Sequence, residues 1–122
     1  MKRIKILIVE DEMVSAMDLA QILGRRGYKI CGLAATAAAA VATAEKELPD
    51  IVLVDVNLGG AVSGIEAARE IHSRFGTPVI FITGYSDEET RSAAEIAEPA
   101  GYFIKPVNIE ELLTTIKSVV RQ

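Results

Sequence analysis

The sequence predicts an α/β domain in which five strands and five helices alternate as (βα)5. The helices cover both faces of a parallel sheet ordered 2-1-3-4-5. Three observations carry this. Short apolar, mostly β-branched runs such as Ile51-Val52-Leu53-Val54 and Val79-Ile80-Phe81-Ile82 show no polar alternation, which is how strands buried on both faces of a parallel sheet read. Stretches with helical spacing of apolar residues separate these runs, and such alternation implies right-handed crossovers onto a parallel sheet. The chain has 122 residues, 50% of them hydrophobic and 25% charged, enough for one core and too few for two.

Each element has its own justification. Residues 4–9 are nearly all apolar and form a central first strand that ends on Glu10-Asp11-Glu12. Met13, Ala16, Met17, Leu19, Ala20, Ile22 and Leu23 then recur at helical spacing. Arg25 and Arg26 complement the dipole in the last turn, and Gly27 stops the helix. Residues 28–34 are the second strand, with Gly32 its weak point. Thr36 is the N-cap of an alanine-rich helix that reaches Leu48, and Leu48-Pro49-Asp50 closes it. The third strand, from Ile51, stops at Asp55, and Gly59-Gly60 opens a loop. A helix over 63–75 buries Ile65, Ala68 and Ile71. Gly76-Thr77-Pro78 turns the chain into the fourth strand, residues 79–83. Ser86-x-x-Glu89 has the form of a capping box for a fourth helix that runs to Ala97. Ile96 is its one large apolar residue among alanines, so this helix buries little and is the least secured element. Residues 99–101 break it. Residues 102–104 are a short fifth strand that stops at Lys105-Pro106. Asn108 opens the last helix, whose face is Ile109, Leu112, Leu113, Ile116, Val119 and Val120. The expectation is one domain over residues 1–122 with no output domain.

Bulk properties narrow the function. Lys and Arg number 13 against 17 Asp and Glu, a net charge of −4, so no electrostatic footprint for nucleic acid is expected. A single cysteine, Cys31, excludes an internal disulfide and fits a reducing compartment. Its apolar neighbours suggest a buried, inert thiol. No stretch approaches the ~20 apolar residues of a membrane span, and the start of the chain lacks a signal-type apolar region. A cytoplasmic location is expected. His72, alone on the third helix, is expected to be solvated and not a metal ligand.

Function concentrates where the strands end. In a parallel sheet every strand delivers its last residue to one edge, and ligands bind there at the topological switch point. Read in order, the strand ends are Glu10-Asp11, Asp55 with Asn57 beyond it, Thr83 and Lys105. With the first and third strands adjacent, Asp11 and Asp55 meet. Two carboxylates ~5 Å apart repel by about 3 kcal/mol at an effective dielectric near 20. A divalent cation with oxygen ligands offsets that repulsion. Asp11, Asp55 and the Asn57 backbone carbonyl supply half of an octahedral Mg²⁺ shell, with Glu10 in an outer role through water. Lys105 adds a compact positive charge and Thr83 a hydroxyl. Carboxylates, a hard metal, a lysine and a hydroxyl suit a phosphoryl group. Asp55, at the end of the most buried strand, is the nucleophile, and an aspartyl-phosphate is the product.

With these residues in place, the chain resembles the receiver domain of two-component response regulators over its whole length. The likeness rests on Glu10-Asp11 after the first strand, Asp55 after the third, Thr83 after the fourth and Lys105-Pro106 after the fifth. It implies the flavodoxin-like receiver fold and Mg²⁺-dependent phosphotransfer to Asp55 from a sensor histidine kinase or histidine phosphotransfer protein. The only catalysis it implies is of the domain's own phosphorylation and dephosphorylation. It further implies a switch in which Thr83 and Tyr102 change rotamer, and a cis Lys105-Pro106 bond. The poor apolar face of the fourth helix and Gly84 ahead of it lead us to expect that phosphorylation biases the face of the fourth helix, fifth strand and fifth helix. The receiver of that signal would be a downstream protein, or the domain would act as a phosphate sink or relay.

Phe81-Ile82-Thr83-Gly84-Tyr85 is similar to the Phe-x-Thr-Gly-x-Tyr subgroup of stand-alone receivers, here with tyrosine directly after glycine. Gly84 stands where most receivers carry alanine or serine, and is expected to free the backbone ahead of the fourth helix. Gly84 and Tyr85 therefore join Thr83 and Tyr102 as switch residues. The loop 58–64 lacks the usual proline and is one residue longer than typical. A flavodoxin would place a hydroxyl- and glycine-rich loop where Glu10-Asp11-Glu12 stands. A dinucleotide fold would show Gly-x-Gly-x-x-Gly after the first strand. A phosphohydrolase using an aspartyl-phosphate would carry an acid-base carboxylate at the position of Asn57. A pseudo-receiver that takes no phosphate would not need the set Asp11, Asp55 and Lys105.

Overall fold

The sheet is laid down by three central strands whose inward and outward residues are alike apolar, flanked at each edge by a strand that is only partly covered. In the computed structural model, which describes residues 3–58, 63–84 and 87–120, the elements are β1 (Lys5–Val9), α1 (Met13–Arg25), β2 (Lys29–Ala34), α2 (Ala37–Glu47), β3 (Ile51–Val54), α3 (Ser63–Phe75), β4 (Val79–Thr83), α4 (Glu88–Glu95), β5 (Gly101–Ile104) and α5 (Ile109–Val120). The strand order is β2-β1-β3-β4-β5 and every pair is parallel, as the sequence predicts. β3 and β4 are buried along their whole length. Their continuous apolar runs thus match strands covered on both sides.

Alternate residues of the strands feed two cores. Leu7, Val9, Val52, Val54, Val79 and Phe81 point to the face covered by α2, α3 and α4. Ile6, Ile8, Ile51, Leu53, Ile80 and Ile82 point to the face covered by α1 and α5. This is the period-two geometry of a pleated strand with helices above and below.

Local details refine the sequence reading. The register of β1 against β2 shifts between Ile6 and Leu7, which pair with Ile30 and Gly32. Cys31 is the unpaired residue of this bulge. A Cβ on Gly32 would lie 2.9 Å from the Thr43 methyl, so the weak point in the strand is where a side chain of α2 packs against its backbone. Cys31 is half-buried, and burial pushes its thiol up, consistent with an inert role. Thr36 caps α2 by accepting the Ala39 N–H at 3.1 Å, and Asn108 caps α5 through the Glu111 N–H at 3.0 Å.

The fourth helix departs from expectation. Ser86 lies outside the described residues, and the N-cap is Asp87, whose side chain accepts the Thr90 N–H at 2.9 Å. A carboxylate next to the first turn outcompetes the Ser-x-x-Glu reading because it also meets the positive end of the helix dipole. α4 stops at Glu95 instead of Ala97, because the N–H groups of Ile96, Ala97 and Glu98 bond three residues back instead of four, and Glu98 then turns left-handed (φ 51°) ahead of Pro99. α2 ends more abruptly, its C-cap Leu48 itself left-handed at φ 48° before Pro49. His72 is exposed, as expected, but its ring also meets the Thr77 carbonyl at 3.2 Å. Among the described residues, no helix is long and apolar enough to cross a membrane.

Candidate functional site

The strand ends converge because the backbone ladder carries on past the last apolar residue. Glu10 follows β1 and donates its N–H to the Ala34 carbonyl at 2.9 Å. Asp55 follows β3 and donates to the Val9 carbonyl at 2.9 Å, and Lys105 follows β5 and donates to the Thr83 carbonyl at 2.8 Å. Each charged residue is thus held in register one step beyond the core. The Lys105-Pro106 bond is cis.

Carboxylate oxygens of Glu10, Asp11 and Asp55 lie within 4.8 Å of one another. Lys105 bridges two of them, with Nζ at 2.6 Å from Glu10 Oε1 and 3.2 Å from Asp55 Oδ2. The other oxygens are also engaged. Glu10 Oε2 accepts the Glu12 N–H at 3.1 Å, and Asp55 Oδ1 accepts the Asn57 N–H at 2.9 Å. Glu10 is 8% exposed, and Asp11 is at the surface. Burial pushes the Glu10 carboxyl up, although the Lys105 and Glu12 hydrogen bonds pull it back. Burial lowers the Lys105 ammonium, but Glu10 and Asp55 outweigh it and leave it above the ordinary lysine value. One ammonium, bonded to two of them, thus stands against three carboxylates, which leaves a surplus of negative charge at a cluster of hard oxygen donors. That chemistry fits a small divalent cation such as Mg²⁺. Asn57 Nδ2 is buried with no hydrogen-bond partner among the described residues, in the segment that carries the expected carbonyl ligand.

Thr83 closes β4 opposite Ile104 and is fully buried, at 0% exposure. Its hydroxyl is therefore beneath the surface of the site. Gly84 is exposed, with open space where a Cβ would stand and no left-handed φ. Nothing in this conformation demands glycine, so the expected gain in backbone freedom is not used here. Tyr85 lies outside the described residues, as do Gly59 and Gly60. Tyr102 lies on β5 beside Phe81 in register, its ring edge-on to that of Phe81 with centroids 6.3 Å apart and planes at 65°.

Two features lay outside the sequence reading. Glu10, expected in an outer role through water, is the nearer partner of Lys105. Only the reach of the Lys105 side chain from the end of β5 past β4 and β3 to the end of β1 reveals it. A groove of about 340 Å³ opens beside the carboxylates, between α1 and the β5–α5 connection, with Leu19, Ile22, Pro106 and Val107 on its apolar walls.

Comparison with known proteins agrees with this geometry. The family model described as the response regulator receiver domain matches residues 6–117. The transcriptional regulatory protein PdtaR of Mycobacterium tuberculosis is 37% identical over 116 residues, 95% of this chain and 56% of that protein. The phyllosphere-induced regulator PhyR of Methylorubrum extorquens is 39% identical over 103 residues, 84% of this chain and 38% of that protein. The chain thus spans about half or less of these curated relatives. Among solved structures, the signal receiver domain of a modulated diguanylate cyclase from Desulfovibrio desulfuricans superposes with a TM-score of 0.91 at 36% identity, covering 98% of this chain and 95% of that one. A receiver domain protein from Methanospirillum hungatei gives 0.88 at 32% identity, covering 98% and 95%. With the family model matched over residues 6–117 and the fold shared with these receiver structures, the chain belongs to the response regulator receiver domain family of two-component signalling.

Proposed function

We propose that this domain accepts a phosphoryl group on Asp55 from a histidine kinase or a histidine phosphotransfer protein. The observation that carries the reading is the packing of three carboxylates within 4.8 Å around a lysine that reaches two of them. An Asp55 carboxylate oxygen attacks phosphorus and the P–N bond of the donor phosphohistidine breaks. Its electron pair returns to the imidazole, which takes up a proton. Asp11, Asp55 and the Asn57 carbonyl would hold Mg²⁺, with Glu10 beyond. That ion supplies charge neutralisation for the phosphoryl oxygens. Lys105 shifts its ammonium from Glu10 towards the same oxygens, and the Thr83 hydroxyl turns to meet one of them. Water attack on the acyl phosphate later returns Asp55 to its free form. The domain thus acts on itself and on no separate substrate.

The output we infer is a change in the face formed by α4, β5 and α5, read by a downstream protein in the cytoplasm or used as a phosphate relay. The support is the poor anchorage of α4, in which Ala94 alone is buried, next to a strand end that carries Thr83. Relatives are named as transcriptional regulators, but each is longer than this chain. A net charge of −4 gives the receiver itself no reason to hold nucleic acid.

Titration with beryllofluoride, a phosphoryl mimic, followed by NMR on wild type and Asp55→Asn, tests the reading. Shifts should require both Mg²⁺ and Asp55 and should spread to Thr83, Lys105 and α4. An unchanged spectrum at saturating mimic would identify a receiver that takes no phosphate.

A further inference from the structure

We propose that Arg91 is a positioning residue whose guanidinium clasps the ring of Tyr102 and holds α4 in its resting place, so that loss of the clasp favours the phosphoryl-bound form. The second half rests on the phosphotransfer reading above. The first half does not.

The case begins with what α4 lacks. Its contribution to the core is methyl groups: Ala94 is fully buried, and Ala93 and Ala97 pack beside it. Ile96, the one large apolar residue of the segment, is 63% exposed. An eight-residue helix anchored by alanines has little apolar area to hold it. Arg91 adds a contact of a different kind. Its Cζ lies 4.9 Å from the centre of the Tyr102 ring, within the range of a cation–π interaction. A planar guanidinium is suited to lie over an aromatic face.

The placement of that contact makes it more than local glue. β5 is an edge strand, so no further strand covers Tyr102 from outside. Phe81, fully buried, bounds the ring on the inner side, and Arg91 covers it from α4. The Tyr102 phenol is pushed up chiefly by burial, with Arg91 pulling the other way. Arg91 itself sits in the first turn of α4, its N–H bonded to the Asp87 carbonyl at 3.1 Å. The clasp thus ties the start of α4 to the strand pair whose next residues on that face lead to Thr83. A displaced α4 draws the guanidinium off the ring, and a ring that swings away loses its cover. The two positions are therefore linked, and each variant that weakens one weakens the other.

The test uses the full chain carrying Arg91→Ala, Arg91→Lys, Tyr102→Leu, Tyr102→Phe, and Arg91→Ala combined with Tyr102→Leu. Amide hydrogen exchange over residues 88–95 is measured without any mimic. Arg91→Ala should speed exchange about two- to fivefold, the shift that an exposed cation–π contact carries. Arg91→Lys should restore part of it. Tyr102→Phe, which keeps the ring, should preserve the sensitivity to Arg91→Ala, whereas in Tyr102→Leu the same substitution should add nothing. Arg91 is exposed, so its variants keep the fold. Exchange unchanged by Arg91→Ala, or effects of Arg91→Ala and Tyr102→Leu that simply add, would overturn the clasp. The beryllofluoride midpoint at fixed Mg²⁺ then tests the coupling. It should fall about two- to fivefold in Arg91→Ala, by the linkage between resting-state stability and apparent affinity. An identical midpoint would refute the coupling while leaving the clasp. No uptake of mimic by any variant, with the exchange pattern intact, would instead remove the phosphotransfer reading.

Discussion

α3 and α4 lie on the same face of one sheet and are built to opposite specifications. α3 buries Gly64, Ile65, Ala67, Ala68 and Ile71 and is tied to α2 by Arg74, 3.5 Å from Glu45. Its first turn also leans on the segment that follows Asp55, with the Gly64 N–H on the Val56 carbonyl at 3.2 Å. α4 buries Ala94 alone. Under the proposed phosphotransfer the difference is one of division of labour: the side of the site next to Asp55 is anchored by area, and the side proposed to respond is anchored by little. Elements that move are drawn from the low-stability end of a structure.

The sharpest way to break this contrast is to strike the anchored side. A Cβ at Gly64 would stand 2.0 Å from the Asp55 carbonyl oxygen and 2.7 Å from that of Val56. Both are backbone atoms that cannot step aside cheaply. Gly64→Ala should cost about 3 kcal/mol or more in urea unfolding and should abolish mimic binding by moving Asp55. Retention of wild-type stability would mean that α3 floats as α4 does.

Next come matched truncations. Ile71→Ala removes a fully buried side chain from α3 and should cost about 2–5 kcal/mol. Ile96→Ala, just past α4 at 63% exposure, should stay within about 0.5 kcal/mol. Similar losses for the two would erase the distinction.

Much of this was legible in the sequence, for reasons that differ by region. The runs at β1, β3 and β4 are unambiguous because burial on both faces leaves no room for polar residues, so the strand ends and their charges follow directly. The weak anchorage of α4 was readable from its alanines. Its cap was not, because Ser86 and Asp87 both satisfy the local pattern and only the backbone decides between them. Gly84 suggested a hinge, yet its backbone conformation suits any residue, since composition reveals permission and not use. The Arg91–Tyr102 stack joins residues on different elements with no periodic relation, and the grip of Glu10 on Lys105 spans the width of the sheet. Neither leaves a trace in spacing.

Acid should act on α4 before it acts on α3. The Thr90 backbone and side-chain hydrogen bonds hold the Asp87 carboxyl below the usual aspartate value. A carboxyl depressed by folding contributes stability that is present above its unfolded value, near 3.8, and is lost as pH falls through the folded one. Exchange in α4, corrected for its intrinsic pH dependence, should therefore accelerate below about pH 4, and Asp87→Asn should flatten that dependence. An acid response of equal size in α3 would show that the whole domain loosens together.

The smallest effect is also the most discriminating. An L-residue in the left-handed region ahead of proline follows both α2 and α4: Leu48, the α2 C-cap, at φ 48° and Glu98, three residues past α4, at φ 51°. Both side chains are exposed, so glycine at either position sacrifices no core contact. The left-handed conformation costs an L-residue about 1–2 kcal/mol, while glycine loses about 0.5–1 kcal/mol more in chain entropy on folding. Each substitution should therefore stabilise by roughly 0.5 kcal/mol. The contrast lies in where that gain is seen. α2 packs against both the sheet and α3, so Leu48→Gly should raise the global unfolding midpoint. α4 opens by itself if its anchorage is as slight as its buried residues indicate. Glu98→Gly should then slow local exchange in α4 about twofold, the factor that ~0.5 kcal/mol represents, and move the global midpoint less. Equal global gains from the two glycines would mean that α4 unfolds only with the rest of the domain. The clasp at Arg91 would then be gripping a helix that was never loose.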